Sequence, residues 1–128
     1  MADRAVTDSS DPIVILTEVC LAFPGAELKP FADHEAPSFR VRDKIFVMVH
    51  ETLDSFMCKA PPGVQALLVE QEPERFFVPR YTGHNGWIGV RLVDVDRDEL
   101  RGIALDSYKM TAPKRLQMLL SDEDRGRG

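Results

Sequence analysis

At 128 residues the chain is long enough for one compact domain that buries roughly two thirds of its unfolded surface, and too short for two. Apolar residues make 44% of it and charged residues 29%, an ordinary globular balance that excludes a disordered or collagen-like chain. A net charge of −5 weighs against a protein that lives on nucleic acid or an anionic membrane, unless the charge is unevenly spread.

The charge is uneven: residues 1–36 carry −5, residues 37–93 carry +1 and residues 94–128 carry −1. Met1 to Asp11 has no basic start and no apolar core, so no secretory signal is expected, and the apolar run Ile13 to Leu16 is far too short to span a bilayer. A cytoplasmic protein with no membrane partner is the expectation. Residues 1–10 and 121–128 are polar and patternless, which predicts flexible termini around a single folded unit at 11–120.

Asp11 and Pro12 predict a helix start, and Ile13, Leu16, Cys20 and Phe23 step along one face until Pro24-Gly25 ends it. Residues 24–37 read as a loop rich in Pro and acids. The period then falls to two: Phe39 to Arg42 and Ile45 to His50 predict a hairpin turning at Asp43-Lys44, with a shorter strand at Ser55 to Lys59. Pro61-Pro62-Gly63 opens a second helix with Val64, Leu67, Leu68 and Gln71 on one face, closed by Pro73. Strands at Arg75 to Tyr81 and Trp87 to Val93 follow, joined by a turn whose Asn85-Gly86 suits positive φ. Asp96 with Glu99 marks a third helix, interrupted by Pro113 and followed by a short helical piece at Lys114 to Leu120. The order α-β-β-β-α-β-β-α, with hairpins throughout, predicts an α+β two-layer sandwich: a mainly antiparallel five-stranded sheet with helices on one face.

Alternation sorts the strands into two sets. Phe39, Val41, Ile45, Val47, Val49, Phe56, Cys58, Ile88, Val90 and Leu92 form the set expected under the helices. The opposite set is Arg40, Arg42, Phe46, Met48, His50, Met57, Lys59, Trp87 and Arg91, which mixes four cations with aromatics and methionines and holds no carboxylate. Rings interleaved with cations on an open sheet are what a nucleic-acid platform requires, since bases stack on rings while cations track phosphates. Phe46 and Trp87 would stack; Arg40, Arg42, Lys59 and Arg91 would contact phosphate. An exposed apolar patch equally suits a protein partner or a homodimer.

Chemical motifs are sparse. Gly83-His84-Asn85-Gly86 reads first as a turn, with His84 as a candidate ligand contact beside Tyr81 and Trp87, which keeps a small-molecule or enzymatic site at that hairpin open. No dinucleotide or phosphate-loop motif occurs, the histidines lack metal-ligand spacing, and Ser55, Ser107, Cys20 and Cys58 lack a nucleophile context. No catalytic residue, metal or cofactor is therefore signalled, and both cysteines read as buried thiols.

From Phe23 to Leu116 the sequence resembles the MmcQ/YjbR-like family of small, mostly bacterial proteins. The matching features are Phe23-Pro24-Gly25-Ala26-Glu27, Phe39-Arg40-Val41 with Lys44-Ile45-Phe46, Lys59 before the Pro-Gly helix, Phe77-Val78-Pro79-Arg80-Tyr81 leading to Trp87-Ile88-Gly89-Val90, and Ser107-Tyr108 followed by Ala112-Pro113-Lys114-Arg115-Leu116. The resemblance implies a compact fold called CyaY-like and a DNA-binding role, and brings no secure catalytic activity with it. Lys59, Tyr81, Trp87, Tyr108 and Lys114 carry over as family-pattern residues. Many relatives have His directly before the Trp, where this chain has Gly86. The combined expectation is weak, salt-sensitive DNA binding, with the acidic first segment competing for the same face.

Overall fold

The computed structural model describes residues 11–30 and 36–126. Asp11 caps helix α1 (Pro12–Leu21) by accepting from the Ile13 amide at 3.0 Å, and Pro12 occupies the first turn, where no amide hydrogen is needed. Strands β1 (Ala26–Pro30), β2 (Pro37–Val41), β3 (Lys44–Val49) and β4 (Ser55–Cys58) follow, then α2 (Val64–Gln71), β5 (Phe76–Phe77), a 3₁₀ turn at Gly83–Asn85 and β6 (Ile88–Arg91). Helix α3 (Arg97–Thr111) is capped by Asp96, whose carboxylate accepts from Asp98 and Glu99 amides; α4 (Lys114–Gln117) and α5 (Asp122–Gly126) complete the helical layer.

The strands form one antiparallel sheet in the order β1-β2-β3-β4-β6-β5, and the α+β two-layer arrangement agrees with the sequence pattern. The sheet has six strands rather than five. Strand β1 lies in the segment read as a loop; it is a short edge strand whose Glu27 and Lys29 are charged and whose Leu28 is exposed, so no buried alternation advertises it. At the other edge β5 keeps only two residues. Residues 78–87 leave the sheet because Pro79 has no amide to donate and Gly83 is packed so closely on Val78 that a β-carbon there would meet it at 2.3 Å. The connection is therefore a loop with a 3₁₀ turn, and Gly86 alone of the Asn85-Gly86 pair takes positive φ.

The hairpin between β2 and β3 turns at Arg42-Asp43, both left-handed, instead of Asp43-Lys44. Beyond it the register shifts by one: Arg40 pairs with Ile45, but Phe39 pairs with Val47, which leaves Phe46 as an extra, unpaired residue. This bulge turns Phe46 under the helices. It is fully buried, with its ring centroid 6.2 Å from Phe23 and 5.5 Å from Tyr108. Ser107, buried on α3, donates to the freed carbonyl of Phe46 at 2.5 Å and accepts from the Lys59 amide at 2.9 Å, so one hydroxyl ties the bulge to the end of β4.

The helix-facing side carries the core: Leu16, Val19 and Cys20 of α1 and Leu100, Ala104 and Tyr108 of α3 cover Phe39, Val47, Phe56, Cys58, Ile88 and Val90. Both thiols are buried, and burial raises their pKa values well above the ordinary thiol range. Tyr108 donates its hydroxyl to the Pro24 carbonyl at 2.6 Å. After residue 120 the chain forms α5 (Asp122–Gly126); Arg101 of α3 binds both carboxylate oxygens of Asp124, which holds the Asp124 carboxyl below its usual pKa. Residues 1–10 and 127–128 lie outside the described residues. Among the described residues no helix is long and apolar enough to cross a membrane.

Candidate functional site: the open face of the sheet

Directly paired residues share a face, so the register defines the side away from the helices. One row crosses the entire sheet: Lys29, Ser38, Met48, Met57, Gly89 and Phe77, one from each strand. A second, shorter row joins Glu27, Arg40 and Ile45, and Ser55 faces Arg91 at the far end. Small residues at Ser38 and Gly89 keep the surface low. At Gly89 the space is filled from the next strand, since a β-carbon there would lie 2.3 Å from the Phe77 ring. The Arg91 guanidinium then sits 4.7 Å from the Phe77 centroid, so ring and cation form one stacked unit over β6.

Beside this unit the chain after β5 brings Tyr81 over the middle of the sheet. Tyr81 is 80% exposed, and Arg80 lies 6.0 Å from its ring centroid. Ala36, Met48, Val49, His50, Glu51 and Met57 complete a shallow pocket of about 200 Å³ with it. The β3–β4 turn fixes one rim: the His50 ring nitrogen Nδ1 accepts from the Thr52 amide at 3.1 Å, and Thr52 donates its hydroxyl to Asp54 at 2.5 Å. That hydrogen bond lowers the Asp54 pKa.

The residues singled out from the sequence are thereby divided. Arg40 and Arg91 stand on the open face; Arg40 donates through Nε to Ser38 at 3.2 Å. Arg42 does not, because it occupies the hairpin tip. Phe46 is in the core, removed from the platform by the bulge. Lys59 lines a cavity of about 20 Å³ with Val64, Ile103 and Asp106 of the helical layer, and burial, aided by nearby Lys44, lowers its pKa. Trp87 is half-buried, its carbonyl held by Gln65 at 2.6 Å. Tyr108 is wholly buried, Lys114 begins α4 on the surface, and His84 is exposed in the 3₁₀ turn. Tyr81 shares its pocket with His50, while Asn85 and Gly86 line a separate depression with Pro62, Gln65 and Met110.

Two expectations about this face need correction. Ile45, assigned to the core set, lies on the open side because the bulge follows it, and Glu27 of the unanticipated β1 places a carboxylate on a face expected to have none. Lys29 bonds Asp43 at 3.1 Å and approaches Glu27 at 3.8 Å, so it is less available than Arg40 or Arg91. The rings on this side that alternation did not assign to it are Phe77 and Tyr81. Their signal was the Phe77-Val78-Pro79-Arg80-Tyr81 segment, in which each ring has an arginine partner. No group of three or more metal-ligating side chains occurs among the described residues.

Comparison with known proteins agrees with this architecture. A family model described as YjbR matches residues 21–110. The crystal structure of Deinococcus radiodurans protein DR2400, which carries the family-model domain DUF419, superposes with a TM-score of 0.67 at 18% identity, covering 88% of this chain and 83% of that one. No curated protein matches the chain.

Proposed function

The chain belongs to the YjbR family, and from that premise we propose that it binds DNA through the open face of its sheet. The observation that carries this reading is the six-strand row, in which Met48, Met57 and Gly89 lead to the Phe77 ring with the Arg91 guanidinium stacked on it. Phe77 and Tyr81 offer ring faces to bases, and Arg40, Arg80 and Arg91 offer charge to phosphates. The residues proposed to touch DNA thus differ from the sequence-based set by the loss of Arg42, Phe46, Lys59 and Trp87 and the gain of Phe77, Arg80 and Tyr81. Three cations in a chain of net charge −5 support weak, salt-sensitive binding.

Fluorescence anisotropy with a labelled oligonucleotide, repeated across salt concentrations, tests it. Three neutralised phosphates give a log–log slope of about −2 to −3, and Arg40→Ala or Arg91→Ala each flattens it by about 0.7 to 0.9. Binding that is absent, or insensitive to salt, rejects the proposal. A second reading, self-association through the same face, is favoured by the adjacent Met48–Met57 pair with Ile45 alongside. A stable dimer in light scattering, disrupted by Met57→Glu, would replace the first reading with the second.

A further inference from the structure

The pocket under Tyr81 differs chemically from the strip around it. Its lining is chiefly apolar, led by Ala36 and the two thioethers of Met48 and Met57; Glu51 joins His50 in the lining, and no lysine or arginine does. A phosphate therefore has no partner inside. The mouth carries a tyrosine ring that is 80% exposed, although a ring of that size is usually at least partly covered. The rim carries His50, whose Nδ1 lies 2.8 Å from the Thr52 hydroxyl and 3.1 Å from the Thr52 amide, so the imidazole is held as a polar edge of the pocket. An apolar slot of about 200 Å³, a free ring at its mouth, polar groups at one rim and an arginine just outside make a combination that fits a flat group with apolar faces, a polar edge and an attached anion.

Resting on the DNA-binding reading, we infer that this pocket seats one unpaired nucleobase, stacked on the Tyr81 ring and against the Met48 and Met57 thioethers. Arg80, its guanidinium 6.0 Å from the Tyr81 ring centroid, supplies the cation for the phosphate of the seated nucleotide. Sulfur packs well against the edges and faces of aromatic rings, and base stacking tolerates any sequence because every base has a π face. A duplex keeps its bases in the stack, so the substrate class is single-stranded or locally unpaired DNA.

The test is a titration of protein labelled with ¹³C at the methionine methyls, using a single strand, a duplex of the same sequence, a same-length abasic strand and a nucleoside monophosphate. The single strand should move the Met48 and Met57 methyls upfield by ring current and leave Met110 and Met118, which belong to the helical side, in place. It should bind more tightly than the abasic strand or the duplex. Tyr81→Ala should remove the shifts and weaken strand binding about tenfold or more, and Tyr81→Phe should restore both. Equal binding of intact and abasic strands with unmoved methyls, or a preference for duplex, overturns the base seat and leaves DNA binding standing. Failure of every strand to bind, with the monophosphate inert as well, overturns both. The same shifts from the monophosphate at an affinity equal to the strand's uphold the seat and assign it to a free nucleotide.

Discussion

The two faces of the sheet are made from neighbouring residues of the same strands, yet their chemistry differs. On the helix side the row Phe39, Val47, Cys58 and Ile88 is buried, in one core cluster with residues of α1 and α3. One residue away, Ser38, Met48, Met57 and Gly89 point to the other side of the sheet, where no helix among the described residues packs on them and Arg91 is stacked on the Phe77 ring. A core requires fixed volumes and punishes any change in them; a contact surface tolerates small, flexible and cationic residues because its partner completes it. The difference places the fold's stability on one side and the proposed DNA contact on the other.

The sharpest way to break the comparison is Phe46→Ala. The ring packs in a cluster with Phe23 and Tyr108, so its removal should cost about 3 to 5 kcal/mol in urea unfolding, while DNA affinity per folded molecule stays unchanged. Loss of affinity without loss of stability would return Phe46 to the open side. Ser107→Ala comes next: it deprives the Lys59 amide and the Phe46 carbonyl of their partner and should cost about 1 to 3 kcal/mol, with faster hydrogen exchange at the Lys59 amide.

Gly89→Ala probes the outer side. The new methyl collides with the Phe77 ring, so the ring and Arg91 must move; a cost of about 1 to 2 kcal/mol is expected, accompanied by altered DNA affinity, which neither core substitution should show. The smallest effect belongs to Arg42→Asn. Asparagine tolerates the left-handed conformation better than arginine, so thermal unfolding should report a gain of less than about 1 kcal/mol, and the salt slope of DNA binding should not change. A flattened slope would restore Arg42 to the contact set.

Much of the fold was legible because its signals are local. Asp11-Pro12 and Asp96 mark real helix starts, since a cap is a contract between residues two or three apart. Alternation located β2, β3 and β4 and assigned most core residues correctly, because strand periodicity needs only the next residue but one. Strand β1 was hidden by exposure and by the prolines around it. The site was half legible: Arg40 and Arg91 were found on the right face, whereas Tyr81 and Phe77 carried no periodic signal, lying where the strand gives way to a loop.

The sequence by itself determined the α+β class, the family resemblance, the helix starts and the uneven spread of charge. Which ring faces water was decided only by the tertiary structure. A single extra residue in β3 inverts the alternation on either side of it, and it is held in place by a hydroxyl 61 residues away in α3, a contact that no local pattern contains.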